Sequence, residues 1–203
     1  MIYLIGGSPR VGKSIVARHI AKTTDATLVL TDDICESVEK KLPEDERQSK
    51  FPFPSFSGTA SENVHTSDEL VDFQYATAKA LRPELDRIVE ETLSNGESAV
   101  IEGVHLLPEQ VRELSDRHPK NIRAVFVGSE DIGRIIDGIM RNTSPDNWTR
   151  DSDSEVVRQI AEFASIYSGL IRKEAEANDL PYIERTDNFE KDMKSIVEAM
   201  TSH

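Results

Sequence analysis

The chain has 203 residues and a net charge of −13, from 24 Lys and Arg against 37 Asp and Glu. Its 37 % hydrophobic and 30 % charged residues suit an ordinary globular domain with its own core. The longest purely apolar run, Met1 to Ile5, is too short to span a membrane, and Gly6, Gly7 and Arg10 interrupt it before it could act as a secretory signal. The lone Cys35 excludes an internal disulfide framework and any multi-cysteine metal site, and fits a cytoplasmic protein. The acidic surplus argues against a nucleic-acid partner. That surplus is uneven. Residues 1–30 carry +3 and the remaining 173 carry −16, which points to a local anion site near the start.

In chain order, Ile2–Ile5 predicts a first strand that runs directly into a helical pattern over 13–23. Thr27–Leu30 predicts the second strand, ending in Thr31-Asp32-Asp33-Ile34. Residues 43–63, with Pro43, Pro52, Pro54, Gly58 and three Phe, break the alternation and predict an irregular excursion. A helix over 66–95 opens on Thr66 and Glu69, a capping-box pair, and ends at Asn95-Gly96; Pro83 is expected to kink or divide it. Then follow strand Ala99–Ile101, helix 108–117, strand Ile122–Val127 and helix 130–141. A polar excursion over 142–153 holds Trp148 and Arg150, before helix 154–178, strand Tyr182–Ile183 and helix 188–201. Short β-branched strands between helices predict an α/β three-layer fold with right-handed crossovers. No internal repeat is visible, so 1–203 reads as a single domain with two excursions.

The segment Gly7-Ser8-Pro9-Arg10-Val11-Gly12-Lys13-Ser14, followed by Ile15, satisfies the G-x-x-x-x-G-K-S spacing with a strand before it and a helix after it. Glycines let backbone N–H groups turn inward around an oxyanion, and the helix aims its positive end at the same point. Lys13 is expected on the β- and γ-phosphates and Ser14 on Mg²⁺, which makes ATP with Mg²⁺ the expected cofactor. The competing reading is a glycine turn with a chance Lys-Ser.

Over nearly its whole length the chain resembles the small-molecule kinases of the phosphate-loop superfamily. The opening Gly-Gly-Ser and the strand-two Asp are similar to zeta-toxin and chloramphenicol-phosphotransferase-like kinases. Ile101-Glu102-Gly103-Val104-His105 is similar to a stretch of archaeal 2-phosphoglycerate kinase. The resemblance implies a five-stranded parallel sheet in the order 2-3-1-4-5, with helices on both faces and a mobile lid near 142–153. It also implies transfer of a γ-phosphoryl group to a hydroxyl of a small-molecule acceptor. Asp32, or its neighbour Asp33, would then lie beside that acceptor as the base, the competing reading being that both cap a following helix. Glu102, abutting an apolar strand, would hold Mg²⁺ or the acceptor, and His105 would touch the acceptor or serve structure. Arg141, then Arg134 and Arg150, would meet the transferring group from the lid, or else form a solvated, salt-bridged face. Lys50, Phe51, Phe53, Phe56 and His65 are candidate walls of the acceptor site; the alternative for the phenylalanines is a satellite cluster that pins the excursion to the body. Thr186-Asp187-Asn188 would lie near adenine or cap the last helix. A 5′-hydroxyl polynucleotide kinase and a nucleotide-gated binding module are the rival readings; the acidic surplus opposes the first.

Overall fold

A computed structural model of the chain describes residues 1–52, 65–141 and 152–201. Five strands form one sheet: β1 (Ile2–Gly7), β2 (Thr27–Leu30), β3 (Ala99–Glu102), β4 (Ile122–Gly128) and β5 (Tyr182–Glu184). They are all parallel and stand in the order β2-β3-β1-β4-β5, the expected order. Eight helices accompany them among the described residues: α1 (Lys13–Thr24), α2 (Thr31–Glu39), α3 (Glu44–Lys50), α4 (Ser67–Ser94), α5 (Pro108–Arg117), α6 (Ile132–Arg141), α7 (Ser154–Ala177) and α8 (Phe189–Thr201).

The two-residue period of the strands builds two cores. Ile2, Leu4, Ala99, Ile101 and Phe126 face one side, where Leu81 and Leu85 of α4, Val111 of α5 and Tyr167 of α7 cover them. Ile5, Val100, Val125 and Val127 face the other, against Val16 and Ile20 of α1 and Ile196 and Met200 of α8. A third cluster, built on Ile135, Ile139 and Ile160, joins α6 to α7. Both sheet faces are thus buried, which is why the strands read as continuous apolar runs.

Most elements fall where the periodicity puts them. β1 outlasts its apolar run because Gly6 and Gly7 still pair with Phe126 and Val127. α2 and α3 were not expected as helices. α2 starts without a loop after β2 and buries only Thr31 and Ile34, too narrow a stripe to register as a period. α3 occupies part of the predicted irregular excursion and has no apolar residue; its acids stand in the first turn and its bases in the last, as the helix dipole favours. Pro83 does not divide α4. Leu81 and Leu85 are buried on either side of it, Arg82 pairs with Asp86 and Glu113, and proline removes a single ladder hydrogen bond. The capping box forms as expected, with Thr66 accepting from the Glu69 N–H and Glu69 accepting from the Thr66 N–H. The predicted lid falls outside the described residues except at its end, where the Asp153 carboxylate caps α7 by accepting from the Val156 N–H.

Candidate active site

The site lies at the carboxyl ends of β1, β2 and β3, where a parallel sheet opens onto its loops. Between β1 and α1 the phosphate loop makes its turn. Gly7 has φ 117°, and a β-carbon there would come within 2.0 Å of the Val127 carbonyl oxygen, so only glycine fits beside β4. Val11 anchors the loop by packing into the core under α1, and the Ser8 hydroxyl donates to the Ala164 carbonyl of α7 at 2.7 Å. These two side chains hold the loop from outside. Ile15 is exposed on the first turn of α1.

Lys13 folds back across the loop. Its ammonium donates to the Ser8 carbonyl at 2.6 Å and lies 3.8 Å from Glu102 Oε1. Ser14 donates its hydroxyl to Glu102 Oε2 at 2.8 Å. The two predicted metal-holding residues, which come from different elements, are therefore in direct contact. Lys13 and Glu102 are only 5 % and 6 % exposed. Burial lowers the lysine pKa, and the attraction of Glu102 and Asp32 works against that shift.

A cavity of about 470 Å³ opens from this point. Pro9, Arg10, Lys13 and Ser14 line it on the loop side, Asp32 on α2, and Glu102, Gly103 and His105 after β3. The Asp32 side chain is 79 % exposed and lines the cavity. Desolvation raises its pKa against the attraction of Lys13, with Asp33 adding to the rise. Asp33 does not line the cavity. Neither residue caps α2, whose N-cap is Leu30; both stand in its first turn. Arg10, in the left-handed region at φ 63°, has its pKa lowered to about 10 by burial, with Asp32 opposing the shift, and stays charged at neutral pH.

His105 is buried. Its Nδ1 shares a hydrogen bond with the Thr31 hydroxyl at 2.9 Å and stands 3.6 Å from Asp32 Oδ1. Burial, helped by repulsion from Lys13, pushes its pKa down to about 4, so it is neutral at pH 7. Gly103 makes this approach possible, since a β-carbon on it would meet Thr31 Oγ1 at 1.6 Å. Tyr167 of α7 steadies the same segment by donating to the Val104 carbonyl at 2.8 Å. His105 is thus both hydrogen-bonded in the wall and present at the cavity.

The arginines stand apart. Arg134 of α6 pairs with Asp187 at 3.0 Å and Asp131 at 3.3 Å, and Arg141 is exposed and pairs with Asp137 at 3.2 Å. Neither lines the cavity in this conformation. Of the candidate acceptor walls, Phe51 lines it, whereas Lys50 pairs with Glu46 at 2.7 Å and His65 packs edge-on to Phe73. Phe53, Phe56, Trp148 and Arg150 lie outside the described residues. The turn after β5 is held by Asp192, which accepts from the Thr186 N–H and hydroxyl, while the Asn188 side chain accepts from the Lys191 N–H at the start of α8. Among the lining residues that the sequence reading does not reach are Glu36 and Glu39 of α2 and Gln74 and Thr77 of α4. For Gln74 and Thr77 a signal is visible in the sequence: both are polar and sit in step with the apolar stripe Leu70, Ala78, Leu81 and Leu85.

A parallel sheet of this order, with a buried lysine opening α1 where the loop after β1 ends, defines a phosphate-loop α/β fold. No family model matches the chain. By sequence it is similar to the mevalonate-3-phosphate 5-kinase of Thermoplasma acidophilum, 27 % identical over 116 residues that cover 56 % of this chain and 55 % of that protein. It is also similar to the 2-phosphoglycerate kinase of Methanothermobacter thermautotrophicus, 25 % identical over 99 % of this chain and 65 % of that protein. The chain spans less than two thirds of the length of these curated relatives. By fold it matches a gluconokinase from Sinorhizobium meliloti 1021 at a TM-score of 0.50 and 15 % identity, covering 98 % of this chain and 90 % of that one. A putative kinase from Chloroflexus aurantiacus matches at a TM-score of 0.50 and 18 % identity, covering 97 % and 94 %. No helix among the described residues is long and apolar enough to cross a membrane.

Proposed function

We propose that this chain is a kinase that moves the γ-phosphoryl group of ATP, with Mg²⁺, to a hydroxyl of a small molecule. One observation carries the reading: a single cavity joins Lys13, Ser14 and Glu102 at the phosphate loop to the carboxylate of Asp32 on its wall. The names of the sequence relatives support it, and give two phosphorylated acceptors, 2-phosphoglycerate and mevalonate-3-phosphate.

Each residue has a task that its surroundings permit. The loop backbone and the N-terminus of α1 hold the phosphates, and Lys13 exchanges the Ser8 carbonyl for a phosphate oxygen. Asp32 stands on the cavity wall, where it would orient the acceptor hydroxyl and take its proton during transfer. The Ser14 hydroxyl and Glu102 carboxylate are hard oxygen donors in contact, a set that suits Mg²⁺. No group of three or more metal-binding His, Cys, Asp or Glu exists among the described residues, as fits an ion whose other positions go to phosphate and water. Bound there, the ion would neutralise charge on the β- and γ-oxygens. Neutral His105 offers the acceptor a hydrogen bond from the wall. Arg141 and Arg134 would reach the transferring group by giving up Asp137 and Asp187.

The test is incubation with ATP, Mg²⁺ and pooled metabolites, with products followed by mass. Asp32→Asn is expected to slow transfer at least about 100-fold while ATP affinity stays within about twofold, the range for loss of a general base. Near-normal turnover in that variant would remove Asp32 as the base. Bound ATP with no phosphorylated product would make the chain a binding module instead.

A further inference from the structure

We propose that Gln74 and Thr77 of α4 recognise the acceptor, and that the acceptor is a polyhydroxylated small molecule that carries no phosphate. This rests on the kinase reading above and narrows its substrate class.

Gln74 and Thr77 are three residues apart and share one face of α4. They are 3 % and 1 % exposed, on a stripe whose other members are apolar core residues. Gln74 Nε2 and Thr77 Oγ1 have no hydrogen-bond partner among the described residues. A buried amide or hydroxyl left unpaired is destabilising, and an apolar side chain of similar size would serve packing better. Both residues line the cavity, where an acceptor could supply the missing partners. Gln74 Nε2 is a donor and needs an oxygen lone pair; the Thr77 hydroxyl both donates and accepts.

The wall formed by α2 states the complementary requirement. Asp32, Glu36 and Glu39 are spaced at i, i+4 and i+7, so they share a helix face, and all three line the cavity. Glu36 pairs with Lys40 at 2.5 Å, and Asp32 faces His105 at 3.6 Å. Carboxylates accept hydrogen bonds and repel anions. Apart from Lys13 at the phosphate site, Arg10 is the one Lys or Arg lining the cavity among the described residues. Several hydroxyls suit this set: they donate to the α2 carboxylates and accept from the α4 amide. Among the described lining residues, a second phosphate would meet the three carboxylates of α2 against one arginine. The chain thereby departs from relatives whose names carry phosphorylated acceptors.

The experiment measures Mg-ATP-dependent transfer to two probe pools. One contains unphosphorylated pentitols, hexitols and hexoses; the other contains 2-phosphoglycerate and mevalonate-3-phosphate. The expected kcat/KM for the best polyol exceeds that for either phosphorylated acid by tenfold or more. Gln74→Leu and Thr77→Val should each raise acceptor KM about 5- to 100-fold, with KM for ATP within about twofold. Thr77→Ser, which keeps the hydroxyl, should stay within about threefold of the wild type. Without acceptor, both apolar variants should melt at or above the wild-type temperature; a clear fall would show a structural role and overturn the recognition role. Preference for the phosphorylated pool overturns the substrate class while leaving the kinase reading intact. Unchanged acceptor KM in both variants overturns the role of α4. Transfer to neither pool, with ATP bound, overturns this substrate class; the kinase reading falls with it only if the pooled metabolites also give no phosphorylated product.

Discussion

Replacing Glu102 with Ala probes the most tightly coupled part of the site. In the wild type this carboxylate accepts the Ser14 hydroxyl at 2.8 Å and stands 3.8 Å from the Lys13 ammonium. Its removal leaves a buried ammonium with the neutral Ser8 carbonyl, at 2.6 Å, as its hydrogen-bond acceptor. Breaking a buried ion pair from one side costs about 3–5 kcal/mol. Lys13 keeps that one good hydrogen bond, so the low end, about 3 kcal/mol, is expected. For a domain of this size that is a fall in Tm of about 6–12 °C. The deficit also depends on pH. Burial already holds the Lys13 pKa below 10.5, and loss of Glu102 lowers it further. A lysine whose folded pKa lies below its unfolded value binds fewer protons when folded across the interval between the two. Stability therefore rises with pH through that interval, and the deficit shrinks as the pH climbs toward 10.5. ATP without Mg²⁺ should stabilise the variant more than the wild type, because its phosphates restore negative charge beside Lys13. Scanning calorimetry from pH 7 to 10, with and without ATP, provides the measurement. A variant that melts within about 2 °C of the wild type at pH 7, with no change in the difference at pH 10, would refute the coupling.

The other expectations concern the wall that holds His105. Its pKa of about 4, against 6.5 for a free imidazole, means that the folded state binds fewer protons between those values. The protein should lose up to about 3 kcal/mol as pH falls through that window, and His105→Gln should flatten the loss, as urea unfolding at pH 7, 5.5 and 4.5 would show. Identical profiles for the two proteins would count against a neutral, buried His105. Gly103→Ala must push Thr31 aside, since its β-carbon would come within 1.6 Å of the hydroxyl oxygen. A cost of about 1–3 kcal/mol in urea unfolding is expected, and an unchanged midpoint would mean that the two segments are not packed as described.

Sequence alone determined the sheet, most of its helices and the phosphate loop. Those features are local: β-branched runs of a few residues, an amphipathic period, and glycines at fixed spacing before Lys13-Ser14 all lie within one element or its neighbour. The strand order came with the family resemblance, and the pairing of β1 between β3 and β4 bears it out. α2 and α3 escaped because one has a narrow apolar stripe and the other has none, so charge and chain connectivity alone mark them. Tertiary structure decided what meets what. Ser14 and Glu102 are 88 residues apart, and their contact exists because β3 lies beside β1 in the sheet. The Thr31 hydroxyl reaches His105 only because Gly103 has no side chain. Gln74 and Thr77 read as interruptions of an apolar stripe until α4 is set against the cavity. The uneven charge follows the same division. The basic first thirty residues mark the phosphate loop in the sequence itself, whereas the gathering of Asp32, Glu36 and Glu39 on one wall required α2 to be a helix facing that cavity.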